Sequence, residues 1–185
     1  LLNGVNLAVK ELNRDGFMVD GKRVQLEVVS VDDKADAATG KQVAQQLVDA
    51  GVVAVIGHLN SGVSIEAAPI YAAKDIAQIA ISTNPKFTQL GLNSTFRMVA
   101  NDTLQARAIG SFAATQLSAS RYAALDDGTP YGKGLTDGAA AQLKAEKWGT
   151  DPKEVDYGTL YVSRFKVLRT AYAAWREKYD GLHGC

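Results

Sequence analysis

Ser61 is where a hydroxyl and a run of unpaired backbone N–H groups come together in this sequence. The stretch Val52–Ser64 reads VVAVIGHLNSGVS: an apolar run stops at Gly57-His58, passes Asn60-Ser61-Gly62 and becomes a helical pattern. A short buried strand reads as a continuous apolar run of this kind. Asn, Ser and Gly straight after it are residues that cap a helix and let the chain turn. The turn therefore delivers donors to the carboxyl end of a parallel strand, the edge at which open α/β sheets bind ligands. A helix start adds free N–H groups and the positive end of the helix dipole, which suit a carboxylate. The same pattern also serves as a plain helix cap, with no ligand at all.

A second turn has the same grammar. Ile76–Ile81 is apolar, and Ser82-Thr83-Asn84-Pro85 follows. A hydroxyl such as that of Thr83 both donates and accepts, so it can receive a bond from an ammonium group or simply satisfy the turn. A third loop, Asp126-Asp127-Gly128-Thr129-Pro130, leads into Tyr131, a cleft-lining or core-edge aromatic. Asp126 and Asp127 have the chemistry of a metal pair, but carboxylates at strand ends more often close turns. His58 stands at a strand end with no cysteine or second histidine near it in sequence, which suits a hydrogen-bonded structural residue better than a base. No Ser-His-Asp order, no G-x-x-x-x-G-K and no G-x-G-x-x-G occurs, and Gly132-Lys133-Gly134 is too short to cradle a phosphate. No catalytic residue, metal or cofactor is indicated.

The elements that must hold these turns alternate. Residues 2–14 place Val5, Leu7, Ala8, Val9 and Leu12 mostly on one helical face, and Asp15-Gly16 ends that helix. Val24–Val31 is β-branched and nearly alternating, which predicts a strand. Helices are expected over 35–50 and 64–74, strands over 52–56, 76–81 and 96–99. A helix capped by Asn101-Asp102-Thr103 is expected to reach about Leu117, followed by a strand over 122–125 and a helix over 131–147. Strand–helix alternation at this spacing is the signature of an α/β fold with a doubly wound parallel sheet and right-handed crossovers. After Trp148, the break at Gly149-Thr150-Asp151-Pro152 precedes Val162, Phe165, Leu168, Tyr172, Trp175 and Tyr179, spaced as an amphipathic packing helix.

Composition sets limits. The chain has 185 residues, 46% of them hydrophobic, enough for the core of one domain or one lobe. Its 20 basic and 20 acidic residues balance, which argues against a nucleic-acid surface driven by net charge. No apolar run approaches the ~18 residues of a membrane span, and no secretory leader pattern is present. The single cysteine, Cys185, fits cytosol and periplasm alike. Leu1 opens inside a helical pattern, so the sequence reads as part of a longer protein.

With these turns in order, the chain resembles the type I periplasmic solute-binding proteins of ABC importers, above all the leucine/isoleucine/valine and amide-binding group. The resemblance rests on GVNLAVKELNRDGF (4–17), VIGHLNSGVSIEAAPIY (55–71), STNPKFTQLG (82–91), FRMV (96–99) and DDGTPYGKGL (126–135), in family order and spacing. It implies that residues 1–148 form most of the amino-terminal lobe, whose first strand would precede Leu1, and that 149–185 are an atypical carboxy-terminal segment. It implies a hinge-closing, non-enzymatic receptor that captures an amino acid in an interlobe cleft and presents it to ABC permease subunits, in the periplasm. It assigns Ser61, beside Asn60, to the α-carboxylate; Thr83, beside Ser82, to the α-ammonium; and Tyr131 to the cleft wall. In the family a second lobe reads the ligand's side chain. Two other readings stand beside this one. A ligand-sensing domain of a regulator or receptor has the same fold, and an upstream DNA-binding helix-turn-helix would mark it, as a signal peptide would mark the importer. An α/β hydrolase or transferase using His58 or Asp126-Asp127 would show turnover instead of saturable binding.

Overall fold

The computed structural model describes residues 1–117, 122–147 and the backbone of 160–162. They fall into two units, Leu1–Val99 and the part that follows from Ala100. In the first unit, α1 (Leu2–Asp15) ends where Gly16 takes φ 90° and its N–H returns to the Leu12 carbonyl. A left-handed residue suits glycine and stops a helix. The stripe expected on α1 is not a buried face: no residue of α1 is buried, Leu7 is 57% exposed, and only Val5, Val9 and Asn13 are half-covered.

A two-stranded hairpin of β1 (Met18–Val19) and β2 (Lys22–Arg23) follows, closed by Asp20-Gly21 at φ 49° and 74°. Two positive φ values match the twist of a tight hairpin, and Asp-Gly is a pair that adopts them readily. The strand expected over 24–31 does not form a ladder. Val24, Leu26 and Val28 are half-buried and alternate with exposed Gln25, Glu27 and Val29, so the period of two is present. Among the described residues no strand lies beside it. Instead the Asn13 side chain donates to the Leu26 carbonyl and accepts from the Leu26 N–H, both at 2.8 Å, standing in for one rung of a neighbouring strand.

Helix α2 (Ala37–Asp49) starts two residues later than the sequence pattern suggests. Lys34 and Ala35 sit at φ 52° and 55°, and Asp36 caps the helix by accepting from Thr39 N (2.7 Å) and Thr39 Oγ1 (2.8 Å). Gly40, Val43, Ala44 and Leu47 form its buried stripe. β3 (Ala54–Ile56), β4 (Ala77–Ala80) and β5 (Thr95–Arg97) make a parallel sheet in that order. α3 (Ser61–Ala72) crosses between β3 and β4, and the short 3₁₀ helix Pro85–Gln89 stands between β4 and β5. α3 begins three residues before the predicted start, which places Ser61 inside its first turn.

One face of the sheet is the core. Ala44, Leu47, Val55, Ala67, Tyr71 and Ile76 form one buried cluster; Ile65, Ala68, Ala80 and Phe87 form another. The register Ile56↔Ile79↔Phe96 aligns an apolar row on the other face, where Ile56 is 44% and Phe96 48% exposed.

In the second unit α4 (Asp102–Gln116) is capped by Asn101, whose side chain accepts from Thr103 N. It packs on α5 (Pro130–Lys147) through glycines. A Cβ on Gly110 would lie 2.5 Å from the Ala139 carbonyl oxygen, and one on Gly138 would lie 2.8 Å from Ala106 Cβ. β6 (Ala123–Leu125) pairs in parallel with β7 (Leu160–Val162). Val162 thus lies in a strand, where the sequence pattern had put it at the head of an amphipathic helix: its N–H and C=O serve a ladder with β6. The remainder of that expected helix lies outside the described residues. Among those described, no helix is long and apolar enough to cross a membrane.

Candidate functional site

The geometry around Ser61 follows from the parallel pairing of β3 and β4. Both strands end at the same edge, so the turns leaving them are neighbours. Asn60 occupies the N-cap position of α3 but makes no capping bond with its side chain, which is exposed. Ser61 is only 2% exposed. Its Oγ accepts the backbone N–H of Asn84 at 3.3 Å, which joins the first turn to the second. That bond uses a lone pair and leaves the hydroxyl proton to donate.

Ser82 is 1% exposed and faces inward. Its Oγ lies 2.5 Å from Ser64 Oγ and within reach of the carbonyls of His58 (3.2 Å) and Leu59 (3.5 Å), with one proton to give among these partners. Its side chain therefore ties the two turns together from beneath. Thr83 is half-buried between Ser82 and Asn84. Arg97, from the end of β5, donates to the Asn84 carbonyl (3.0 Å) and to Thr88 Oγ1 (2.6 Å), bracing the second turn from its far side. Ser61, Ser82 and Thr83 are thus brought to one edge by hydrogen bonds between adjacent turns.

Tyr131 belongs to the second unit, in the first turn of α5, and is 40% exposed. The acidic loop before it spends its carboxylates locally. Asp126 Oδ1 accepts from Gly128 N (2.7 Å); Asp127 Oδ1 accepts from Thr129 N (2.9 Å) and Thr129 Oγ1 (2.7 Å). The Thr129 hydroxyl, and then its N–H, hold the Asp127 carboxyl below the ordinary range. Both aspartates act here as turn-formers.

His58 has partners that sequence reasoning did not find. Its ring is 6% exposed, with Nδ1 2.6 Å from Asp33 Oδ2 and Nε2 3.1 Å from the Tyr71 hydroxyl. The His58 and Tyr71 rings stack at 6.0 Å between centroids. Burial, and secondarily the Asp33 charge, push the Tyr71 phenol up to about 12. The available signal was positional: Asp33 follows one strand-like segment and His58 the next, and such ends meet in a parallel fold.

Comparison with known proteins shows the family. The periplasmic binding protein family matches residues 1–160. The Leu/Ile/Val-binding protein homolog 2 of Brucella abortus is 43% identical over 141 residues, 76% of this chain and 37% of that protein. An amino acid binding protein of Pseudomonas aeruginosa is 34% identical over 142 residues, again 76% of this chain and 37% of its own length. The chain therefore spans well under half the length of the curated relatives it matches. A solved ABC transporter substrate-binding protein from Desulfitobacterium hafniense, in complex with Leu, superposes with a TM-score of 0.63 at 30% identity, covering 94% of this chain and 50% of that one. The branched-chain amino acid substrate-binding protein LivJ of Streptococcus pneumoniae, in complex with isoleucine, gives 0.69 at 25% identity, covering 92% and 47%. With its two parallel-strand turns joined through Ser61 and Ser82, and with this match over most of its length, the chain belongs to the periplasmic binding protein family.

Proposed function

We propose that this chain supplies the amino-terminal ligand-binding lobe of a solute receptor for an ABC importer, and that its ligand is an amino acid of the branched-chain or a related amide class. In this reading Ser61 donates its free hydroxyl proton to the α-carboxylate, helped by the N–H groups and dipole at the start of α3. Thr83 accepts from the α-ammonium. Asn60 and Ser82 frame these two contacts, and Tyr131 lines the cleft that a second lobe closes. Neutral donors of this kind stabilise a carboxylate without a buried counter-charge, which would be costly to desolvate. The receptor works in the periplasm and hands its closed form to permease subunits. It performs no turnover.

The observation that carries this reading is the Ser61–Asn84 bond. In it a buried hydroxyl at a helix start accepts one bond and keeps its proton to donate, at the carboxyl edge of a parallel sheet, where open α/β sheets take ligands. Two of the solved relatives are complexes with leucine and with isoleucine. Calorimetry on the full-length chain tests the proposal. Leucine should bind saturably, and Ser61→Ala should cost about 1.5–3 kcal/mol, the scale of a hydrogen bond to a charged group. Unchanged affinity in Ser61→Ala would reduce Ser61 to a helix-start residue, and conversion of leucine or an amide into product would make the chain an enzyme.

A further inference from the structure

The turn that carries Ser61 hangs on a buried side-chain chain. Asp33 comes from the loop before α2, His58 from the end of β3 and Tyr71 from the body of α3. The His58 ring is held at 2.6 Å by Asp33 and at 3.1 Å by Tyr71, while the His58 carbonyl lies 3.1 Å from Ser64 Oγ and 3.2 Å from Ser82 Oγ; these two oxygens are 2.5 Å apart, so one hydroxyl donates to the carbonyl and the other to its fellow hydroxyl. One residue thus fastens the starts of two helices and the turn after β4.

We propose that Asp33, His58 and Tyr71 are positioning residues for ligand binding, forming a one-way hydrogen-bond relay that fixes the His58 carbonyl and, through Ser64 and Ser82, the turn bearing Ser61. This rests on the receptor reading given above. The direction of the relay follows from donor inventory. An ionised carboxylate only accepts, so Nδ1 carries the ring proton. In a neutral imidazole the bare Nε2 then accepts, and Tyr71 donates. The phenol keeps its proton because burial and the neighbouring Asp33 charge both oppose ionisation.

Tyr71 is 0% exposed, so no bulk water replaces Nε2 as the acceptor of its hydroxyl proton. A buried donor left unmade is costly. Among the described residues, Asp33 and Tyr71 are the titratable groups in contact with the ring. β4 and its turn bring the uncharged Gln78 and Ser82, and the Lys41–Glu66 ion pair between α2 and α3 is about half exposed.

The test uses the full-length chain. ¹⁵N NMR of histidine-labelled protein, with His58→Gln to identify the resonance, should show His58 as the Nδ1–H tautomer. In leucine calorimetry Tyr71→Phe should bind about three- to tenfold more weakly, the range for one neutral hydrogen bond. Asp33→Asn, whose amide can donate to Nδ1, should move the ring toward the Nε2–H form and weaken binding while folding is kept. An Nε2–H tautomer in the native chain overturns the relay. So does a folded Tyr71→Phe chain of lower melting temperature with unchanged leucine affinity, since that is the mark of a structural role alone. A native chain that does not bind leucine removes the receptor reading itself and, with it, any role for the relay in binding.

Discussion

At the scale of single residues, the site is organised by hydroxyls that each do two things. Ser61 accepts from Asn84 N and keeps a proton to give; Ser82 meets Ser64 while reaching toward two carbonyls. Most buried hydroxyls have their bonding met, so these contacts also serve folding. Tyr71 illustrates the same coupling through its ionisation. Its folded pKa of about 12 lies above the ordinary 10, so the folded state holds the phenol proton more tightly than the unfolded one. Its contribution is fully present below pH 10 and is lost as pH rises toward 12. Over that window the native chain should lose about 2–3 kcal/mol relative to Tyr71→Phe, which has no phenol to ionise. Denaturant titrations of both proteins at pH 9 and at pH 12 check this; parallel losses in the two would contradict it.

At the scale of elements, the tightest constraints are glycines at helix crossings. Gly110 on α4 leaves no room for a methyl group against the Ala139 carbonyl oxygen (2.5 Å) and Gln142 Cβ (2.6 Å). Alanine is the better helix former by about 1 kcal/mol. Overpacking typically costs about 1–3 kcal/mol and should win here, because the obstruction is backbone and cannot swing aside. Gly110→Ala should therefore lower stability in a denaturant titration, and a stabilised variant would mean that the two helices separate freely. Asn101→Ala should cost about 1 kcal/mol by removing the cap on Thr103 N. The helices were legible in the sequence because their signals are local: the apolar stripe of α2, Asn101 before α4, Gly16 after α1; the cap at Asp36 was missed, and α2 was expected two residues early. Val24–Val31 was legible as a period of two but not as a ladder, since a ladder needs a partner that no local pattern announces. Val162 was misplaced for the related reason that its strand depends on distant β6. Ser61 and Thr83 could be picked out because turn chemistry is local as well. The Asp33–His58–Tyr71 chain could not, because it joins residues 25 and 13 positions apart through the fold.

At the scale of the whole molecule, the match covers 37% of the Brucella relative and about half of the solved structures. In the receptor reading the ligand is enclosed between two lobes, so the 185-residue chain alone forfeits the opposing contacts and the exclusion of water. It should bind leucine much more weakly than the full-length protein. It should also self-associate, because Ile56 and Phe96 remain 44% and 48% exposed on one face of the central sheet. Sedimentation of the isolated chain, with calorimetry beside it, checks both; a stable monomer with micromolar leucine affinity would make this stretch a complete binding unit.

In the receptor reading, the Ser61 turn recognises a carboxylate. The most direct measurement is a calorimetric cycle on the full-length protein, with leucine and leucinamide as ligands and native Ser61 and Ser61→Ala as hosts. If the claim holds, native protein prefers leucine over leucinamide, and Ser61→Ala removes about 1.5–3 kcal/mol of that preference, the worth of one charge-assisted hydrogen bond. Equal binding of leucine and leucinamide by the native protein, or a preference untouched by Ser61→Ala, would contradict it.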